Sequence, residues 1–123
     1  MDIEIDIESD VPIFTQLIEQ IKTGVCSNAL QEGSAIPSIR RLAKDLGINP
    51  NTVSKAYKLL ERDQIIVGKG YRGTFINENA KQYCEIDLSK LARETLQETI
   101  QSLRSTGLTD SEIRIAFNEL MKD

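Results

Sequence analysis

The sequence predicts a mainly α-helical chain with one small β-hairpin. Three observations carry this. Phe14, Leu17, Ile18, Ile21 and Val25 recur at three- and four-residue steps, the period of a helix buried on one side. Two short amphipathic stretches meet at Gly47, as two helices joined by a tight turn would. Two β-branched runs, Ile65-Ile66-Val67 and Thr74-Phe75-Ile76, flank a glycine-punctuated loop.

The elements follow in order. Residues 2–8 alternate acidic and apolar, so Ile3, Ile5 and Ile7 would share one face of an extended strand. An edge strand, an ordered arm and a loose acidic leader all fit that pattern. Asp10 is a candidate N-cap for the first helix, with Pro12 in its first turn and an end near Ser27–Asn28. Residues 30–36, with Gly33, read as a short connection. Ser38 can cap a second helix with Ile39, Leu42, Ala43 and Leu46 facing inward, and Gly47 allows the left-handed conformation that ends it. Asn49 is a good N-cap and Pro50 a good first residue for a third helix through Leu60, with Val53, Ala56 and Leu60 inward. Residues 68–73 form the loop of the hairpin, a wing carrying Lys69 and Arg72.

Asn77-Glu78-Asn79 marks a boundary. A helix should begin between Ala80 and Leu88. Leu88, Leu91, Ala92, Leu96, Ile100 and Leu103 give its apolar stripe, and Gly107 stops it. Thr109 and Glu112 match a capping box that opens a last helix with Ile113, Ala116, Phe117 and Leu120 on one side. Two short helices enclose little apolar surface. The stripe therefore packs on a partner, most simply a second copy, or folds back on its own domain.

The chain has 123 residues and a net charge of −4, which at first argues against nucleic acid. The charges are not evenly spread. Residues 1–10 hold five acids and no base. Residues 34–76 hold eight bases against three acids, a net of +5. Residues 77–123 hold six bases against nine acids. The absence of His removes His-based acid–base chemistry and His metal ligands. Cys26 and Cys84 form no CxxC pair. The scattered carboxylates suggest no catalytic pair, so neither a catalytic residue nor a cofactor nor a metal site is expected. No apolar run reaches membrane-spanning length and the acidic start is unlike a signal peptide. The expected location is the cytoplasm, with no membrane partner.

A recognition helix needs polar or basic side chains near its start, where it meets base edges in the major groove. Here those are Asn49, Asn51, Thr52, Ser54 and Lys55, with Lys58 further along. Asn51 suits a paired hydrogen bond to adenine. Asn49 serves the cap first. Thr52 could equally serve the helix start. Backbone N–H groups near Ser38 and Asn51 can take phosphate. Tyr57 fits core packing better than stacking on DNA. Arg40 and Arg41 point about 100° apart, and Arg41 could pair with Asp45. Lys69 and Arg72 could approach the minor groove or remain solvated.

These motifs together resemble the GntR family of bacterial winged-helix transcription regulators, specifically its short YtrA-like branch. Pro12-Ile13-Phe14-Thr15-Gln16-Leu17 is similar to the family's opening P-I-Y-x-Q-I/L. The run from Ile36 to Ala43 is similar to L-P-S-x-R-E-L-A. Residues 46–53 are similar to L-G-V-N-P-N-T-V, and residues 70–76 to the wing motif G-x-G-T-F-V with its preceding glycine. The resemblance implies a winged helix-turn-helix over residues 1–77 and a two-helix dimerisation segment over 78–123. It implies a phosphate contact at Arg40, and recognition-helix positions at Asn51, Thr52 and Lys55. It implies wing positions at Gly70, Arg72 and Gly73. It further implies a homodimer on an inverted-repeat, double-stranded DNA operator, commonly repressing its own operon alongside a transporter. Leu88, Leu91, Leu96, Ile100, Leu103, Ile113, Phe117 and Leu120 would serve dimerisation.

Two departures stand out. Arg41 replaces the Glu that would complete a capping box with Ser38. The wing is less basic than the family's R-R-G-x-G run. The length leaves no room for the family's larger effector or aminotransferase-like domains. No effector is designated by the tail. A ligand-responsive regulator and a protein-interaction adaptor are the alternative readings.

Overall fold

The computed structural model describes residues 1–84 and 88–122. The chain divides into two compact units, Met1–Ile86 and Asp87–Asp123. The first unit is built from α1 (Ile13–Cys26), β1 (Ala35–Ile36), α2 (Ile39–Leu46), α3 (Pro50–Arg62), β2 (Ile66–Gly68), β3 (Thr74–Ile76) and α4 (Ala80–Cys84). Its core gathers Leu17, Ile21 and Val25 of α1, Leu42 of α2, Val53 and Leu60 of α3, Ile65 just before β2 and Ile76 of β3.

The N-terminal residues form an ordered arm rather than a strand. Gln20 exchanges two hydrogen bonds with the Glu4 backbone at 3.0 and 2.6 Å, and Gln16 does the same for Asp6 at 2.9 and 3.0 Å. The spacing explains the match. Four helical residues rise about 6 Å, and two extended residues span slightly more, about 6.6 Å. Two glutamines one turn apart thus meet two backbone amides two residues apart. Ile3 and Ile5 lean on the core, whereas Ile7 is exposed.

Asp10 does not cap α1. Pro12 itself takes the cap position, with φ −54° and no side-chain cap bond. Its carbonyl accepts from Thr15 and Gln16, and the Gln16 side chain donates to the Val11 carbonyl at 2.9 Å. The cap position falls two residues past Asp10, at Pro12, so the acid lies outside it.

The helix-turn-helix forms where the caps require it. Ser38 accepts from the Arg41 amide at 3.2 Å, and Gly47 ends α2 at φ +67°. Asn49 accepts from the Asn51 amide at 2.8 Å, and Pro50 opens α3. The sheet has three strands in the order β1-β3-β2, all antiparallel, where the sequence suggested a hairpin alone. The extra strand is the Ala35–Ile36 pair, read from the sequence as connection. It pairs with Phe75 and Thr74. β2 starts at Ile66; Ile65 precedes it and is fully buried.

After the sheet, the next two elements are helical. The expected helix start corresponds to two elements, α4 and α5 (Leu88–Ser105); residues 85–87 between them lie outside the described residues. Ala80 is fully buried and α4 packs on α1, so the first unit continues past residue 77.

The second unit consists of α5 (Leu88–Ser105) and α6 (Asp110–Leu120). The Thr109–Glu112 capping box is present in both directions. Arg104 forks onto Asp110 at 2.8 and 3.2 Å, fastening the turn between the helices. Neither helix carries a buried residue.

Candidate nucleic-acid interface

The candidate surface is assembled by α2, α3 and the wing. On α3, Val53, Ala56, Tyr57 and Leu60 are buried, which fixes the helix rotation. Asn51, Lys55 and Lys58 then share the opposite, exposed face, because steps of four and three residues return to the same side. Ser54 and Thr52 are half-buried at the flanks of that face. Tyr57 is a core residue. Its hydroxyl donates to the Pro37 carbonyl at 2.7 Å, and burial pushes its phenol well above the usual value. That bond ties α3 to the residue before the Ser38 cap and so holds α2 against α3.

Lys55 has a contact that sequence reasoning missed. Its ammonium nitrogen lies 3.9 Å from the centre of the Phe14 ring on α1. The only available signal was the aromatic position in the opening motif. The cation is thus held by an aromatic face instead of sweeping freely.

On α2, Ser38, Arg40, Arg41, Lys44 and Asp45 line a shallow surface hollow. Lys44 joins this group although it was not among the expected contacts. Arg41 approaches Asp45 at 3.8 Å, one turn along, and both are well exposed. Such an exposed pair adds little stability.

Phosphate capture by backbone amides at the start of α3 is not supported. Pro50 has no N–H, the Asn51 amide is held by the Asn49 side chain, and the Thr52 amide donates to the Asn49 carbonyl at 3.0 Å. Asn49 is a cap, as expected.

The wing is a single 3₁₀ turn over Gly70–Arg72. Gly70 at φ +60° and Gly73 at φ +104° adopt left-handed conformations, and the Lys69 amide closes the loop onto the Gly73 carbonyl at 2.8 Å. Lys69 leans over the Phe75 ring at 4.9 Å. Arg72 is exposed, and beside it Tyr71 projects with 96% of its surface accessible. Tyr71 escaped sequence reasoning because an aromatic next to glycine reads equally as packing.

A buried ion pair braces this surface from behind. Lys22 of α1 meets Asp63, the C-cap of α3, at 3.0 Å, and Arg62 grips the same carboxylate at 2.8 Å. Burial alone would raise the Asp63 carboxyl. Hydrogen bonds from Arg62 and Lys22 outweigh it and hold the group below its ordinary value.

Residues 14–76, which contain α2, α3 and the wing, match the sequence profile of the bacterial regulatory proteins of the gntR family. The chain belongs to the GntR family. It is 37% identical over 121 residues to the HTH-type transcriptional repressor YtrA of Bacillus subtilis (strain 168), covering 98% of this chain and 93% of that protein. Among solved structures it is similar to YtrA from Sulfolobus acidocaldarius, a GntR-family transcription factor. That pair shares 30% identity over 96% of this chain and 95% of that one, with a TM-score of 0.57. It is also similar to a transcriptional antiterminator from Listeria monocytogenes EGD-e, at 39% identity and a TM-score of 0.66, over 100% of this chain and 92% of that one. Within the GntR family these matches set the chain in the YtrA-like branch. It is a DNA-binding transcription regulator of the helix-turn-helix kind, and the family is one of transcription factors, not enzymes.

The second unit supplies the remaining expected residues. Ile100, Leu103 and Ile113 are half-buried within it. Leu88, Leu91, Leu96, Phe117 and Leu120 are exposed, Leu120 at 86%. Ile115 and Met121 add exposed apolar surface that the stripe did not include. Among the described residues no group of three or more His, Cys, Asp or Glu could hold a metal ion, and no helix is long and apolar enough to cross a membrane.

Proposed function

We propose that this GntR-family chain is a repressor that binds an inverted-repeat DNA operator as a homodimer. The observation that carries the reading is the exposed stripe Asn51–Lys55–Lys58 on a helix whose opposite side is wholly core. Asn51 reads a base edge, and Lys55 and Lys58 meet groove or phosphate. Thr52 and Ser54 supply shorter polar contacts at the flanks, and Asn49 acts through the cap it forms. Arg40, beside Ser38 at the start of α2, contacts the backbone. Lys69 and Arg72 enter the minor groove, with Gly70 and Gly73 shaping the loop.

Residues 1–77 carry the DNA-binding function, and within residues 78–123 α4 packs on that unit while α5 and α6 carry the dimerisation function. Exposed Leu88, Leu91, Leu96, Phe117 and Leu120, with half-buried Ile100, Leu103 and Ile113, form a face that a second copy covers. The site of action is the cytoplasm, at an operator near its own gene, in an operon that includes a transporter. Nuclease protection of the DNA upstream of that gene tests the proposal. Two protected half-sites related by two-fold symmetry are expected. Uniform or absent protection along that region contradicts an operator there.

A further inference from the structure

The two cysteines are distant in sequence and adjacent in the fold. Cys26 is the last residue of α1 and is exposed; Cys84 is the last residue of α4 and is half-buried. The Cys84 thiol donates to the Lys22 carbonyl at 3.8 Å. Cys26 stands one helical turn beyond Lys22 on the same helix, so α4 delivers Cys84 to the turn that ends in Cys26. Burial raises the Cys84 thiol to about 12, and a hydrogen bond with the Cys26 thiol and the charge that thiol would carry add to the rise. Lys22 acts the other way and Glu32 adds to it. One cysteine is exposed, and its neighbour is half-buried with its thiol protonated. Neither group belongs to the DNA-facing surface.

We propose that Cys26 and Cys84 are a dithiol pair that a hydroperoxide oxidises to an intramolecular disulfide, joining the end of α1 to the end of α4. The Cys26 thiolate attacks one peroxide oxygen. An S–O bond forms, the O–O bond breaks, and the departing hydroxide leaves as water with the Cys26 proton. The Cys84 sulfur then attacks the Cys26 sulfur. The S–S bond forms, the S–O bond breaks, and the second hydroxide leaves as water with the Cys84 proton. Two electrons pass from the sulfurs to the peroxide, and two thiols plus one hydrogen peroxide give one disulfide and two waters. The closed loop contains α2, the recognition helix α3 and the whole sheet. Closing it removes conformations from the unfolded chain and stabilises the DNA-binding unit. A reversible bond of this kind suits a reducing compartment, where disulfides are transient and sensory.

The test treats the full chain with hydrogen peroxide, blocks remaining thiols by alkylation and maps peptides by mass spectrometry. Expected are a Cys26–Cys84 linked peptide within one chain, loss of both alkylatable thiols and their return with dithiothreitol. The denaturant midpoint should be higher for the oxidised protein than for the reduced one. C84S should leave Cys26 at the sulfenic acid, captured by dimedone. Full alkylation of both thiols after peroxide overturns the proposal. So does over-oxidation of Cys26 beside an alkylatable Cys84, a disulfide between two copies, or a linked chain with an unchanged midpoint. These readouts are independent of operator binding.

Discussion

The Lys55 ammonium nitrogen lies 3.9 Å from the centre of the Phe14 ring, so a residue of α1 positions a cation of the recognition helix. The contact links the opening motif of the sequence to the face proposed to meet DNA. A cation over an exposed aromatic face contributes about 0.5–1 kcal/mol. Phe14→Leu keeps the apolar contact with the core and removes the ring. A double-mutant cycle with Lys55→Ala, read by denaturant unfolding, should show coupling of about 0.5–1 kcal/mol. Strictly additive losses would show that the ring does not hold the cation.

Gly73 tests the wing without touching the core. Its φ of +104° is strained for any other residue, yet a Cβ there would meet no atom within 4 Å. The penalty of Gly73→Ala is therefore conformational, on the order of 1–3 kcal/mol. The wing should rearrange and operator affinity should fall, while circular dichroism of the helices stays unchanged. Unaltered affinity would remove the wing from the interface.

The Lys22–Asp63 pair sets an acid limit on stability. Burial opposes the Asp63 charge, but its bonds to Arg62 and Lys22 win and lower its value on folding. A depressed carboxyl contributes stability that is complete above its unfolded value and is lost as pH falls through its folded value. Denaturant midpoints should therefore drop between about pH 5 and pH 2. Asp63→Ala leaves the Lys22 charge buried without that carboxylate. It should cost about 3 kcal/mol at neutral pH, with a shallower acid slope. An equally steep slope in the variant would assign the acid sensitivity elsewhere.

The tail carries the proposed homodimer. Leu91 and Leu120 are 60% and 86% exposed, so changing them should not unfold the unit. Leu91→Asp with Leu120→Asp sets like charges into a two-fold interface, at a cost of several kcal/mol. Sedimentation should shift from dimer to monomer, with unchanged helix content. A dimer that persists would move the interface off this face.

Much of this was legible because local chemistry determines it. Ser38, Gly47, Asn49, Pro50 and the Thr109–Glu112 box each act within a few residues, and all appear as read. What escaped depends on partners far along the chain. Ala35–Ile36 is a strand only because β3 offers an edge, and two residues show no alternation to detect. The Ile3-Ile5-Ile7 alternation was visible, but its partners are glutamine side chains one helical turn apart. Lys22 left a trace, since it interrupts the buried stripe of α1 four residues after Ile18. Its partner Asp63 lies 41 residues away and could not be paired from spacing. The residues proposed to contact DNA are legible through the family's motifs, whereas the contacts of Lys55 with Phe14 and of Tyr57 with Pro37 belong to tertiary packing.

The central claim is specific binding of DNA through α2 and α3, and an anisotropy titration tests it most directly. The DNA is the protected fragment upstream of the chain's own gene, titrated with wild type, Arg40→Ala and Lys55→Ala over a salt series. A charge-assisted contact is worth about 1.5–3 kcal/mol, so each variant should weaken binding by roughly tenfold or more. Wild-type affinity should fall steeply with salt, and each variant should lower the salt slope by about one. Wild-type affinity in both variants, or no preference over unrelated DNA, would contradict the account.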